Sequence, residues 1–199
     1  YGVLFPLFGA PAGKSAYYVD VQVRKTTQEV RLASKPADVF EWLVGGFYDH
    51  ENSQNKQLLT AQNLDGTSIE GLDPLVTASL PSIYREYAFS GDVTYKFNSR
   101  FDIGAGLRWS RNDQDFTQVS SGVIVPTTVT PGSSGESVVT YSAGPRWHIT
   151  PASMVYVRVT SGYQPGGPNV VVPGVPPSVK ADKLTNYEAG LKTLLDDRR

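Results

Sequence analysis

Apolar and polar residues alternate one by one along most of this 199-residue chain, and this pattern constrains the fold more than any other feature. Between residues 87 and 97 the odd positions are Tyr, Phe, Gly, Val, Tyr and Phe, whereas the even positions are Ala, Ser, Asp, Thr and Lys. Successive side chains of a β-strand point to opposite faces, so this segment has one apolar and one polar face. The alternation predicts an all-β fold of antiparallel strands, and no convincing helical window competes with it.

The same alternation recurs along the chain and predicts about seven strands. They lie near residues 17–32, 40–49, 87–97, 101–109, 138–149, 155–160 and 187–192. In the first of them the apolar phase changes, because Val23 is at an odd position and Val30 at an even one. A strand changes phase in this way where an extra residue is inserted, so we expect a bulge or a break near Thr26 and Thr27.

The connections between these strands alternate in length. Tight turns are expected at Lys35–Ala37, Asn98–Ser99 and Thr150–Ala152, and long polar segments at Asn52–Ile83, Gln118–Glu136 and Pro165–Lys183. In an up-and-down meander successive connections lie at opposite ends, so all the short turns share one end. Short periplasmic turns and long extracellular loops are typical of outer-membrane barrels.

Hydropathy excludes a helical membrane protein but not a membrane barrel. No window approaches the roughly 18 to 20 apolar residues of a spanning helix, and the mean hydropathy is −0.25. A soluble antiparallel sandwich would alternate in the same way. Two features favour the membrane: charged residues continue along the whole polar face, and aromatic residues lie near strand ends of the apolar face, as in interfacial girdles. These are Tyr87, Phe97, Phe101, Trp109 and Trp147.

Composition argues against several classes of function. A net charge of −1 gives no basic surface for nucleic acid, and the chain has no cysteine and two histidines. Asp49 and Glu51 flank His50, but strand periodicity points the histidine away from them, so we expect a solvated strand end and no metal site. No partner is placed to make His148 a catalytic base. We therefore expect no enzyme activity, no cofactor and no metal.

Four motifs in order resemble the β-barrel of TonB-dependent outer-membrane receptors. Residues 28–34 with 40–48 resemble one of its hairpins, and 104–109 one of its strands. Residues 162–169, GYQPGGPN, are similar to a GYxPGGxN signature, and 187–192 to a YExGxK strand. Together the motifs cover the chain from about Gln28 to Thr193.

The resemblance implies that residues 1–199 are part of a transmembrane barrel without its plug domain, which we expect upstream. About seven strands cannot close, since such receptors have about 22, and residues 194–199 should form a turn before a further strand. The implied function is TonB-dependent uptake of a scarce nutrient, most often a ferric siderophore, across the bacterial outer membrane. The implied partners are outer-membrane lipid, the siderophore, and the TonB complex through the missing plug.

Under this interpretation the ligand is expected to meet the lumen wall and the loops. An anionic ferric chelate would favour Arg108, Arg146 and Arg158, and Gln164 and Asn169 flank the Pro-Gly-Gly turn. The alternative is that the arginines form ion pairs with wall carboxylates or with the plug, and that the glycines serve backbone geometry. The wall carboxylates concerned are Glu86, Asp92 and Glu188.

Two other functions remain open from the sequence. The first is a complete small pore or adhesin-like barrel of eight strands, with residues 3–8 as the eighth. The second is a secreted soluble β-protein that binds carbohydrate through Trp and Tyr on its loops.

Overall fold

The computed structural model describes residues 13–169, 174–176 and 178–194, and its elements are all β-strands. They are β1 (Lys14–Ala33), β2 (Phe40–Gln62), β3 (Val76–Ser79), β4 (Ser82–Lys96), β5 (Phe101–Ser121), β6 (Thr128–Thr150), β7 (Ser153–Gln164), β8 (Gly167–Pro168), β9 (Ser178–Val179) and β10 (Asp182–Thr193). No helix in the described residues is long and apolar enough to cross a membrane. The possible eighth strand at residues 3–8 and most of the predicted turn, residues 195–199, lie outside the described ranges.

The long strands form one antiparallel sheet in the order β1, β2, β4, β5, β6, β7, β10. The short β3 pairs with both β2 and β5, so it occupies the position between them beyond the end of β4. The connections 34–39, 97–100 and 151–152 all lie at one end of the sheet, where Leu194 also bonds to Ala152. The up-and-down meander with its short turns on one side is confirmed.

The predicted bulge in β1 is wrong. Every residue of β1 pairs with β2 in one continuous register, from Lys14 opposite Gln62 to Ala33 opposite Leu43. The apolar phase changes because the apolar residues change face. Val30 lies opposite Gly46 on the outer face of the sheet, whereas the odd-numbered valines nearer the start of β1 lie on the inner face.

Much of the sequence expected to form long loops is strand. β2 continues to Gln62, and β5 and β6 pair as far as Ser120 and Thr128, which leaves only residues 122–127 to connect them. These extensions are rich in Ser, Thr, Asn and Gln on both faces, so they have no alternation to detect. The neighbouring strand still satisfies their backbone N–H and C=O groups, which explains why the polar sequence stays in the sheet.

The outer face carries a band of exposed apolar side chains between two aromatic clusters. Tyr95, Phe97, Phe101 and Trp147 lie in a chain of ring contacts of 4.8 to 6.4 Å at the short-turn end. Tyr48 with Tyr87 and Phe89 with Trp109 pair farther along. The outermost members of the two clusters along this segment, Tyr87 and Phe97, are ten residues apart, or about 33 Å of strand, which at a tilt of about 40° gives a height near 25 Å. The band therefore has the height of the bilayer-facing surface of a barrel.

Beyond this band, the connection between β2 and β4 packs on its own small apolar cluster. Ala61, Leu72 and Leu75 are buried, and Leu59, Ile69 and Val76 pack against them. The long connection is therefore a folded cap at the end of the sheet opposite the short turns.

Candidate functional site on the inner wall

The inner face of the sheet is curved. Glu86 on β4 and Tyr163 on β7 are separated by two intervening strands, which on a flat sheet would put them about 14 Å apart. The Tyr163 hydroxyl nevertheless donates to Glu86 Oε1 at 3.4 Å. Side chains from non-adjacent strands therefore converge on this face.

Arg108 lies at the centre of the convergence. Its Nη2 donates to Glu86 Oε1 at 3.1 Å, its Nε to Ser110 Oγ at 3.2 Å, and its guanidinium carbon lies 4.9 Å from the centre of the Phe47 ring. A guanidinium stacked on a ring and held by a carboxylate is fixed in direction. About a third of the Arg108 side chain remains exposed to the lumen, so it can still meet a solute.

A tyrosine completes the same cluster. The Tyr84 hydroxyl donates to Glu86 Oε2 at 3.0 Å, and Tyr84 lies three residues beyond the upper aromatic cluster on β4. Burial raises the pKa of the Tyr84 phenol, and the charge of Glu86 raises it further. Tyr84 is therefore a neutral hydrogen-bond donor at physiological pH. Below the cluster, Arg31, Asp92, Arg108 and Ser142 border an open depression of about 410 Å³.

The other two predicted arginines are not part of this cluster. Arg146 pairs with Asp102 near the short turns, six residues along β5 from Arg108, or about 20 Å. Arg158 on β7 donates to Glu188 on β10 at 2.9 Å. All three arginines lie on the inner wall and each is paired with a carboxylate, so the structure spreads them over three positions.

The ends of the connection between β7 and β10 rest on the same wall. Glu136 on β6 accepts hydrogen bonds from the backbone N–H groups of Gly166 at 2.8 Å and Ala181 at 3.1 Å. The short β8 packs against β5 and β6. Of the two predicted residues here, Gln164 is the exposed last residue of β7 and Asn169 directly follows β8. The motif that contains both residues therefore reaches the inner wall above the Arg108 cluster.

The expected solvated strand end at Asp49 is wrong. Asp49 is only 2% exposed, and its carboxylate accepts from the Thr27 hydroxyl and pairs with Lys25, both at 2.7 Å. The hydrogen bond to Asp49 is the main reason that the pKa of Lys25 is raised. Lys25 also lies 3.7 Å from Glu51, so this group is an ion-pair network. Within the described residues no three metal-ligating side chains are grouped.

Sequence reasoning missed Glu136 and the burial of Asn112 directly opposite it on β5. Glu136 is the last residue of the segment Gln118–Glu136 for which the sequence predicts a loop. Glu136 lies at an even position, as most of the other polar residues of β6 do. This shared alternation is the sequence pattern that could have identified Glu136 as part of the strand. The burial of Asn112 involves residues that are far away along the chain, such as Tyr163, so no local sequence pattern indicates it.

Comparisons with known proteins agree with this architecture. Residues 7–199 match the family model described as TonB dependent receptor-like, beta-barrel. The pesticin receptor of Yersinia pestis is 34% identical and that of Yersinia enterocolitica 28%, each over 185 residues that make up 92% of this chain. The chain spans about a quarter (26%) of the length of these relatives.

A solved structure has the same fold. The ferric yersiniabactin uptake receptor FyuA from Yersinia pestis superposes with a TM-score of 0.76 at 23% identity, over 94% of this chain and 29% of that one. The family match, the meander and the outer apolar band lead to one conclusion: the chain belongs to the TonB-dependent receptor family and forms part of its β-barrel.

Proposed function

We propose that the protein is an outer-membrane receptor that takes up a ferric siderophore in a TonB-dependent manner. The observation that carries the proposal is the Arg108 cluster, a directed cation among tyrosine hydroxyls on the inner wall of a receptor barrel. One of the named proteins, the structural neighbour FyuA, is a ferric yersiniabactin uptake receptor, and this supports the siderophore assignment.

The chemistry of the cluster suits a ferric chelate that carries anionic oxygen atoms. Arg108 offers N–H donors and positive charge, Tyr84 offers a neutral hydroxyl, and Phe47 offers an apolar surface beside them. Charge-assisted hydrogen bonds from arginine are among the stronger polar contacts and suit carboxylate or phenolate groups. Gln164 and Asn169 lie at the connection above and are proposed as further contacts. Arg146 and Arg158 are proposed to serve the wall lower down, where they compensate carboxylates.

The proposal is tested in the bacterium that encodes the complete protein. Uptake of ⁵⁵Fe is measured with ferric yersiniabactin as the probe, in the parent strain, in a strain lacking the gene and in a strain lacking tonB. Saturable uptake should disappear in both mutants and return when the gene is restored. Haem and cyanocobalamin serve as alternative cargoes. Loss of haem or cobalamin uptake with normal ⁵⁵Fe uptake would contradict the siderophore assignment and retain the receptor.

A further inference from the structure

The connection between β7 and β10 is attached to the inner wall at both of its ends by a single side chain. The Glu136 carboxylate accepts one hydrogen bond from the outgoing end, at Gly166, and one from the returning end, at Ala181. Both bonds are charge-assisted, so they are stronger than bonds between neutral groups. We propose that Glu136 is a positioning residue that holds both ends against β5 and β6 and so restricts access to the wall beneath them.

The two ends form one packed unit, so one carboxylate suffices to hold both. A Cβ atom built on Gly166 would lie 2.1 Å from the carbonyl oxygen of Val179, which shows that the two backbones are in direct contact. Next to this contact, Gly167 of β8 pairs with Val179 of β9. A side chain at position 166 would separate the ends, and the absence of one lets Glu136 reach both N–H groups.

The inner wall beneath the two ends is shielded from solvent, and this shielding has an unfavourable free-energy contribution. Asn112 lies opposite Glu136 in the β5–β6 register and is 1% exposed, although it points to the inner face of an open sheet. The Tyr163 phenol lies beside the Asn112 amide, but the Nδ2 atom of Asn112 makes no hydrogen bond of normal geometry in the described part of the chain. Burying an amide N–H without an acceptor is unfavourable, so the covering segment has to be held by contacts elsewhere. Glu136 supplies such contacts immediately beside the buried amide.

Release of the ends would expose a donor that is now unused. On β5, Asn112 lies two residues from Ser110, which accepts a hydrogen bond from Arg108. An uncovered Asn112 would therefore extend the polar surface around the Arg108 cluster. Under the proposed function, a chelate with acceptor oxygen atoms would gain a hydrogen bond there. This last step rests on the proposed function, whereas the positioning role of Glu136 does not.

The test measures the accessibility of position 112 in the complete receptor. The 199 residues contain no cysteine. In a complete receptor whose remaining residues are also made free of cysteine, Asn112→Cys introduces a single thiol, and its reaction with a charged, membrane-impermeant maleimide reports its exposure. In the Glu136→Gln variant the amide can accept from only one N–H group, and its own NH₂ faces the other. We expect labelling at position 112 to become at least tenfold faster in this background.

Two controls separate positioning from general loosening. Glu188→Gln removes another inner-wall carboxylate, bound to Arg158, and should leave labelling at position 112 unchanged. Ala61→Cys, in the buried cluster of the β2–β4 connection, should label equally slowly with Glu136 or with Glu136→Gln. Heat-dependent gel mobility checks that each variant forms the barrel. Equal labelling at position 112 with and without Glu136, or faster labelling at both reporters, overturns the proposal. No siderophore is present, so the result is independent of the proposed ligand.

Discussion

Asp102 on β5 and Arg146 on β6 lie directly opposite each other and form an ion pair on the inner wall near the short turns. Asp102 is 5% exposed, and its second carboxylate oxygen lies 2.9 Å from His148 Nε2. A buried carboxylate that loses its cation keeps the cost of desolvation without the compensating attraction. The contributions of the two residues to stability should therefore be coupled.

Replacement of Arg146 by Met should destabilise the complete barrel by about 1 to 3 kcal/mol, toward the low side of buried pairs because Arg146 is partly solvated. Adding Asp102→Asn in the same chain should recover part of this loss, because the uncompensated charge is then gone. Urea unfolding in detergent, followed by tryptophan fluorescence, gives the four free energies of the double-mutant cycle. Strict additivity of the two single changes would show that the residues are not coupled.

Arg108 should matter for the ligand more than for the fold. Replacing it with Ala should weaken binding of ferric yersiniabactin, as the probe siderophore, by about 10- to 100-fold, the equivalent of about 1.5 to 3 kcal/mol for one charge-assisted hydrogen bond. Binding is measured by quenching of tryptophan fluorescence in the purified complete receptor. Arg146→Met is the matched control, since it removes an inner-wall arginine about 20 Å away, and it should leave affinity unchanged.

Glu86→Gln tests the role of Arg108 by changing its partner in the Arg108–Glu86 ion pair. Glu86 neutralises Arg108 at 3.1 Å, and its removal leaves the guanidinium charge free for an anionic ligand. Affinity for ferric yersiniabactin should therefore rise or stay constant, whereas Arg108→Ala lowers it. A fall in affinity with both variants would mean that the ion pair holds the wall in shape and that Arg108 is not a direct contact.

The sequence predicts the part of the sheet that faces the bilayer and not the part beyond it. Between Tyr87 and Phe97 the outer face carries exposed apolar side chains and the inner face mostly polar ones, so the two faces differ at every second residue. Beyond that height both faces of β2 and β5 carry mostly polar residues, and the alternation disappears although the backbone pairing continues. The strand extensions were therefore expected as loops.

The sequence predicts which residues lie on the inner wall but not which of them contact one another. Alternation alone places Arg108 and Glu86 on the polar face, yet the contact of Glu86 with Tyr163 depends on curvature over several strands. The same holds for Glu136, whose partners Gly166 and Ala181 are 30 and 45 residues away along the chain. Backbone N–H donors have no residue-type signature, so no sequence pattern reports such a contact.

Leu107 offers a direct test of which face meets lipid. It is 62% exposed in the middle of the outer band, so Leu107→Arg would place a charge in the bilayer and should cost about 2 to 4 kcal/mol. Thr94→Arg is the control, because Thr94 lies on the inner face opposite Glu41 and its replacement should cost less than 1 kcal/mol. Unfolding in lipid vesicles measures both. Similar costs for the two variants would contradict the assignment of faces.

Gly144 should be intolerant of a side chain because of the backbone of β7. A Cβ atom there would lie 2.4 Å from the Val157 carbonyl oxygen and 3.1 Å from Arg158 Cα, neither of which can move without separating β6 from β7. Gly144→Ala should therefore destabilise the barrel by about 1 to 3 kcal/mol, as overpacking does elsewhere.

Gly91→Ala is the matched control, since the nearest atom to its Cβ, on Val44, is 4.0 Å away. This change should be neutral or stabilise by about 0.5 to 1 kcal/mol through the lost flexibility of the unfolded chain. Urea midpoints of the two variants in detergent decide the matter, and an equal effect at both positions would rule out close packing of β6 on β7 as the cause.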